Sequence, residues 1–266
     1  MNEVKEGYVR SFDGVYISYS VAGRGDTALI FIHGGLANQS FWSQQIPALA
    51  DRYILIAVDL AGHGSSGRSR ESWTIAAFAE DIKAVAEALD LRRIVLIGNS
   101  LGGAVALYAA GLLKGRTIGV IGVDTLHDAT QKIESGEAKA RADSFRNNFT
   151  ETCREMVRML FHPGKEEKLR VWVEAQMLST PPDVGVGMME GTAGYDATCA
   201  FRIAGVPIRA INGDLYPAQV ELNRRIVPDF DVIVMNGVGH FPMLERPEEF
   251  NRLLLETVKQ MEKREK

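Results

Sequence analysis

Short runs of consecutive apolar residues recur along the chain, each closed by glycine, histidine, asparagine or aspartate. Ala28-Leu29-Ile30-Phe31-Ile32, Ile54-Leu55-Ile56-Ala57-Val58, Ile94-Val95-Leu96-Ile97 and Ile118-Gly119-Val120-Ile121-Gly122-Val123 have this form. Runs this short, with no polar alternation, predict strands buried on both faces. Val4 to Arg10 and Val15 to Val21 are two further β-rich runs, joined through Ser11-Phe12-Asp13-Gly14, where Asp-Gly signals a hairpin turn. Between the strands the apolar positions fall at helical spacing instead. Thr74 to Leu89 places Ile75, Phe78, Ile82, Val85 and Leu89 on one helical stripe. Gly103 to Ala110 is alanine-rich and reads as a helix lying close to its neighbour. A further helix is expected over Ser43 to Leu49.

Strand and helix alternate as far as Asp124, which predicts a parallel sheet with helices on both faces. From His127 to about Ala204 no strand pattern occurs, and the composition shifts toward helix formers, arginine and methionine. This stretch reads as an inserted helical cap, 127–204, over a core made of 1–126 and 205–266. Alternation resumes with strands at Val206 to Ile211 and Val232 to Val234, separated by a helix near Gln219 to Ile226. A last helix runs from Pro247 to Lys263, with proline and two glutamates in its first turn. The fold class is therefore α/β: a mostly parallel, eight-stranded sheet flanked by helices, with an inserted helical cap.

At 266 residues and 46% hydrophobic content, one elaborated domain is expected. A net charge of -4 offers nothing to attract nucleic acid or an anionic membrane. No run approaches a bilayer span, and the N-terminal residues do not resemble a signal peptide. Cys153 and Cys199 are too few for a disulfide framework. A cytoplasmic monomer or homodimer is the expectation, and the sequons at Asn38 and Asn148 then carry no meaning.

In an open parallel sheet, ligand sites gather beyond the carboxyl ends of the strands. The residues there are His33-Gly34-Gly35, Asp59, Gly98-Asn99-Ser100-Leu101-Gly102, Asp124, Asp214 and Gly239-His240-Phe241. A serine between glycines at a strand-to-helix junction matches a nucleophile elbow, though a tight turn with a capping serine would read the same way. Serine, acid and histidine in this chain order resemble the catalytic triad of the α/β-hydrolase superfamily, in its serine esterase-like branch. The resemblance covers essentially the whole chain. It includes the His-Gly after the third strand, Asp59 to Ser66, the elbow, and the run from Gly239 to Phe250.

The resemblance implies Ser100 as nucleophile, His240 as general base and acid, and backbone N–H donors at Gly35 and Leu101 for the oxyanion. It leaves the acid open. The family often has Gly-x-x-Asp after the seventh strand, but Tyr216 occupies that place here. Asp214 lies two residues early, so Asp124, at the minority position after the sixth strand, is favoured over it. The implied reaction is hydrolysis of small to medium carboxylic esters through an acyl-enzyme, with a small-molecule ester as partner and no cofactor or metal. Asn99, where many relatives have histidine, also leaves carbon–carbon hydrolysis of ring-cleavage products open, and lactonase or perhydrolase activity would use the same residues. A hydrolase-like ligand receptor is the alternative outside enzymology.

Several other features compete. Gly62-His63-Gly64-Ser65-Ser66-Gly67 is a literal Gly-x-Gly-x-x-Gly, but no helix opens at it, as dinucleotide binding requires. His33 and His63 read as loop-organising residues, and His127 and His162 lack metal-ligand spacing. Met156, Leu160, Phe161, Met188 and Met189 form a cap stripe that could be core or pocket wall. Phe41, Trp42, Met159, Trp172 and Met177 are the expected pocket residues. Arg141, Arg146 and Arg158 read as solvated, with one available for a substrate carboxylate.

Overall fold

The structure is a computed structural model that describes residues 3–264. Eight strands form one sheet: β1 Lys5–Arg10, β2 Tyr16–Gly23, β3 Ala28–Ile32, β4 Ile54–Val58, β5 Ile94–Asn99, β6 Thr117–Val123, β7 Ile208–Asn212 and β8 Asp231–Val234. Their spatial order is β1-β2-β4-β3-β5-β6-β7-β8. β2 pairs antiparallel with β1 and β4, and every later pair is parallel. All residues of β3, β5 and β6 are buried, as their unbroken apolar runs require. β7 begins two residues later than expected. Pro207 has no N–H to give the ladder, although its carbonyl still accepts from Val120 N at 3.0 Å.

The helices of the core are α1 Ile46–Leu49, α2 Ile75–Ala88 and α3 Leu101–Leu112. The helix expected over Ser43–Leu49 is shorter. Asn38 caps a separate 3₁₀ turn, Gln39–Trp42, and Pro47 sits in the first turn of α1, where a missing N–H costs nothing. α2 starts at the Thr74 cap, whose hydroxyl accepts from Ala77 N at 3.1 Å. Between β6 and β7 lie α4 Ser135–Asn147, α5 Phe149–Met159, α6 Glu167–Leu178, α7 Pro182–Glu190 and α8 Ala197–Ala204. α9 Val220–Ile226, α10 Pro242–Glu245 and α11 Pro247–Arg264 complete the chain. α2 and α3 pack together on one face of the sheet, with α8 along α3, while α1 and α11 meet on the other. No helix among the described residues is long and apolar enough to cross a membrane.

One buried ionic cluster ties the hairpin to α2. Arg70 donates to both oxygens of Asp81, at 2.5 and 2.9 Å, and through Nε to Asp13 at 2.7 Å. Ser11 Oγ also donates to Asp81, at 2.6 Å. The Arg70 and Asp81 side chains are 1% and 0% exposed, so losing the cation strands a buried carboxylate. Arg70→Met is expected to destabilise the protein by about 3–5 kcal/mol in urea unfolding at neutral pH. A loss below about 1 kcal/mol, the size of an exposed pair, would contradict this.

Candidate active site

β5 delivers Ser100 into a turn that only small neighbours permit. Ser100 has φ 52° and ψ −120°, a costly conformation for a residue with a side chain. A Cβ on Gly98 would lie 2.1 Å from Gly102 O, and one on Gly102 would lie 2.4 Å from Ile32 O. The strained turn, with close backbone approach on both sides of the serine, is elbow geometry rather than a capping serine, and Ser100 makes no side-chain cap bond. Thr125 Oγ1 donates to Ser100 O at 3.0 Å and steadies the turn from beyond β6.

His240 lies on the loop between β8 and α10. Its Nδ1 is 2.5 Å from Asp124 Oδ2. Asp124 Oδ1 accepts from Gly213 N at 2.9 Å, so both carboxylate oxygens are used. Asp124 is fully buried with φ 45°, a left-handed conformation that aspartate tolerates. Burial alone would raise its pKa. The facing His127 and His240 rings outweigh that and hold the carboxyl below the usual carboxylate range. An ionised Asp124 requires Nδ1–H as donor, which leaves the His240 Nε2 lone pair free.

Asp214 is turned elsewhere. Its Oδ1 is 2.6 Å from His162 Nε2, and its Oδ2 accepts from Gly237 N at 2.7 Å. The Gly237 N–H, followed by His162, lowers its pKa. The structure therefore brings Asp124, not Asp214, to His240.

Two residues that fasten the site carry little sequence signal. Glu245 accepts from Gly239 N at 2.8 Å and Phe241 N at 3.0 Å, gripping the backbone on either side of His240. Burial pushes its pKa up, against those two N–H donors. Asn99 Nδ2 donates to Val123 O at 2.9 Å and His240 O at 3.1 Å, linking the ends of β5 and β6 to the histidine loop. Only the position of Glu245 within the Gly239-to-Phe250 run, and of Asn99 beside the serine, hinted at them.

Ser100 and His240 share the wall of a cavity of about 300 Å³ that also exposes Gly34, Gly35 and Leu101. Leu101 opens α3, so its N–H has no partner inside the helix. Among the described residues no hydrogen bond uses the Gly35 N–H. The lining is mostly apolar and includes Leu126, Met156, Leu160, Met177, Met188 and Phe241, with Gln131, Thr192 and Tyr195 as polar additions. Met188 covers Gly35: a Cβ on that glycine would meet its Cε at 2.9 Å.

Of the five expected pocket residues, Met177 lines this cavity. Met159 is 63% exposed, because it lies about 200° around α5 from the buried Val157. Phe41, Trp42 and Trp172 are also absent from the wall. Phe41 stacks on Phe241 at 5.6 Å and on Trp172 at 5.0 Å, and Trp42 on Phe31 at 5.1 Å. Phe41 thus backs the wall residue Phe241, and Trp42 belongs to the core beside β3. Arg141 lines the cavity and pairs with Glu137, while Arg146 pairs with Glu190 and Arg158 with Glu151.

The remaining motifs have internal uses. His33 Nδ1 donates to Gly34 O at 2.7 Å and Nε2 accepts from Leu60 N at 3.0 Å. Burial lowers the His33 pKa to about 4 and that of His63 to about 3, which keeps both neutral. The glycine-rich loop wraps the Asp59 carboxylate, which accepts from Gln39 N at 2.7 Å and Ser65 N at 2.9 Å. A Cβ on Gly64 would fall 2.3 Å from that carboxyl group.

The model of the alpha/beta hydrolase family matches residues 29–253, and the chain belongs to that family. Over 101 residues it is 37% identical to an uncharacterized protein of Mycobacterium tuberculosis. That match covers 38% of this chain and 29% of the relative, so less than a third of the relative's length is spanned. A non-heme chloroperoxidase of Kitasatospora aureofaciens is 26% identical over 268 residues, covering 92% of this chain and 96% of that one. A thermophilic esterase from Thermogutta terrifontis superposes with a TM-score of 0.84 at 23% identity. The superposition covers 97% of this chain and 99% of the esterase, and shows a shared fold.

Proposed function

We propose that this chain is a serine hydrolase that cleaves small to medium carboxylic esters, with Ser100, His240 and Asp124 as its triad. The observation that carries the reading is the 2.5 Å contact between His240 Nδ1 and Asp124 Oδ2, with His240 and Ser100 lining the same cavity. Ser100 Oγ attacks the ester carbonyl carbon while His240 Nε2 takes its proton. The Gly35 and Leu101 N–H groups receive the developing oxyanion. His240 then protonates the leaving alcohol, and an acyl-enzyme remains on Ser100. Water, deprotonated by the same histidine, attacks that ester and releases the acid. The inserted stretch 127–204 acts as the cap, and the methionine-rich lining accommodates the apolar part of the substrate.

Esterase chemistry agrees with the Thermogutta terrifontis enzyme that shares the fold. A fluorophosphonate probe, with peptide mapping of the adduct, tests the reading together with a panel of chromogenic esters. Stoichiometric labelling at Ser100 and turnover of short-chain esters are expected. An unlabelled protein with no ester turnover would refute it and favour a receptor.

A further inference from the structure

Asp124 faces a second histidine that the mechanism above does not use. His127 follows it by three residues, and the ring folds back so that Nε2 stands 3.8 Å from Asp124 Oδ1. That is the oxygen His240 does not touch. His127 Nε2 is buried, and no hydrogen bond among the described residues uses it. Its surroundings hold it in place. The His127 carbonyl accepts from Gln219 N at 2.7 Å and Asn223 Nδ2 at 3.3 Å. The ring meets Tyr216 edge-on, with centroids 6.2 Å apart.

A buried ring nitrogen facing a buried carboxylate is stable only when it carries a proton. We infer that His127 is a positioning residue whose Nε2–H points at Asp124 Oδ1, so that one carboxylate serves two imidazoles. The inference rests on the triad proposed above. Across the carboxylate stands His240. On the segment after β7, Tyr216 lies two residues from Asp214, which is engaged with His162. On α9, Glu221 and Arg224 pair with each other and Arg225 is exposed. Asp128, next in the chain, accepts from Thr130 N and Thr130 Oγ1, and Asp124 is the carboxylate that faces the His127 ring.

The direction of the effect follows. A donor or cation on Asp124 Oδ1 takes up part of the negative charge that would otherwise favour a protonated His240. Removing it strengthens the pull of Asp124 on the His240 proton. Protonated His240 cannot act as base, so a higher pH is then needed for activity.

His127→Leu is expected to raise the midpoint of the acid limb of kcat/KM by roughly half a pH unit or more. The alkaline plateau should change by less than about fivefold, since no reacting atom is touched. His127→Gln, which keeps a side-chain N–H, should return the midpoint toward that of the unsubstituted protein. A Leu variant whose acid limb overlays the original or lies lower would overturn the inference, as would a Gln variant that behaves like Leu. A second measurement needs no substitution. Histidine ¹⁵N NMR of the intact chain at pH 8 reads whether His127 Nε2 bears a proton. A protonated Nε2 supports the contact, and a bare Nε2 with the proton on Nδ1 overturns it. If the protein turns over no ester, the hydrolase reading fails, while the NMR result still decides the His127 contact.

Discussion

Asp124→Asn is expected to lower the turnover of a chromogenic short-chain ester by about 10⁴-fold, while Asp214→Asn stays within about threefold of the original. The reason lies in how the carboxylate is held. Gly213 N–H donates to Asp124 Oδ1 at 2.9 Å, so the carbonyl oxygen of an asparagine must take that position. Its amide NH₂ then faces His240 Nδ1 in place of Oδ2. A donor there forces Nδ1 to become the acceptor and moves the ring proton to Nε2, the nitrogen that takes the proton from Ser100 in the proposed mechanism. The fold survives because the shape is unchanged, but the histidine is in the wrong tautomer. Asp214 is about a third exposed and is bound to His162, so neutralising it costs one surface pair. Steady-state kcat for the two variants checks this, and the opposite ranking would transfer the acid role to Asp214.

Ser100→Ala is expected to reduce kcat by about 10⁶-fold and to abolish fluorophosphonate labelling, with little change in unfolding midpoint. Stability is preserved because no hydrogen bond among the described residues uses Ser100 Oγ. Alanine also bears the same left-handed backbone strain that serine does at φ 52°. The Gly35 and Leu101 amides would remain, so a small residual rate above water is part of the expectation. Turnover within tenfold of the original, in a variant free of contaminating esterase, would remove Ser100 from the mechanism.

Local signals made the sheet legible. β3, β5 and β6 are apolar on both faces because both faces are covered, and that condition writes an unbroken hydrophobic run into each. The elbow was legible for a similar reason. The clash of a Cβ at Gly98 or Gly102 with nearby backbone leaves glycine as the residue that fits, close in the chain to the serine it serves. The hairpin, the α2 cap at Thr74 and the start of α11 at Pro247 are likewise settled within a few residues.

The pocket was less legible, and the errors share one cause. Met159, Trp172, Phe41 and Trp42 have the residue types of an apolar wall, yet one is exposed and the other three pack on aromatic neighbours outside the lining. A helix's apolar residues identify the face it buries. They do not distinguish burial against core from burial against a cavity: Met177 lines the cavity and Trp172 does not, although both lie on α6, about 140° apart around it. Glu245 escaped notice because gripping two backbone amides asks only for a carboxylate in reach, a requirement without a motif.

Sequence alone determined the strands, the turn that strains Ser100, and the presence of a histidine and two candidate acids at strand ends. Each depends on residues adjacent in the chain. Only the tertiary structure decided which acid meets His240, a partner 116 positions away from Asp124. There the side-by-side pairing of β5 with β6 and the Gly213 amide turn Asp124 toward the histidine, while His162, from the helical stretch between β6 and β7, holds Asp214 away.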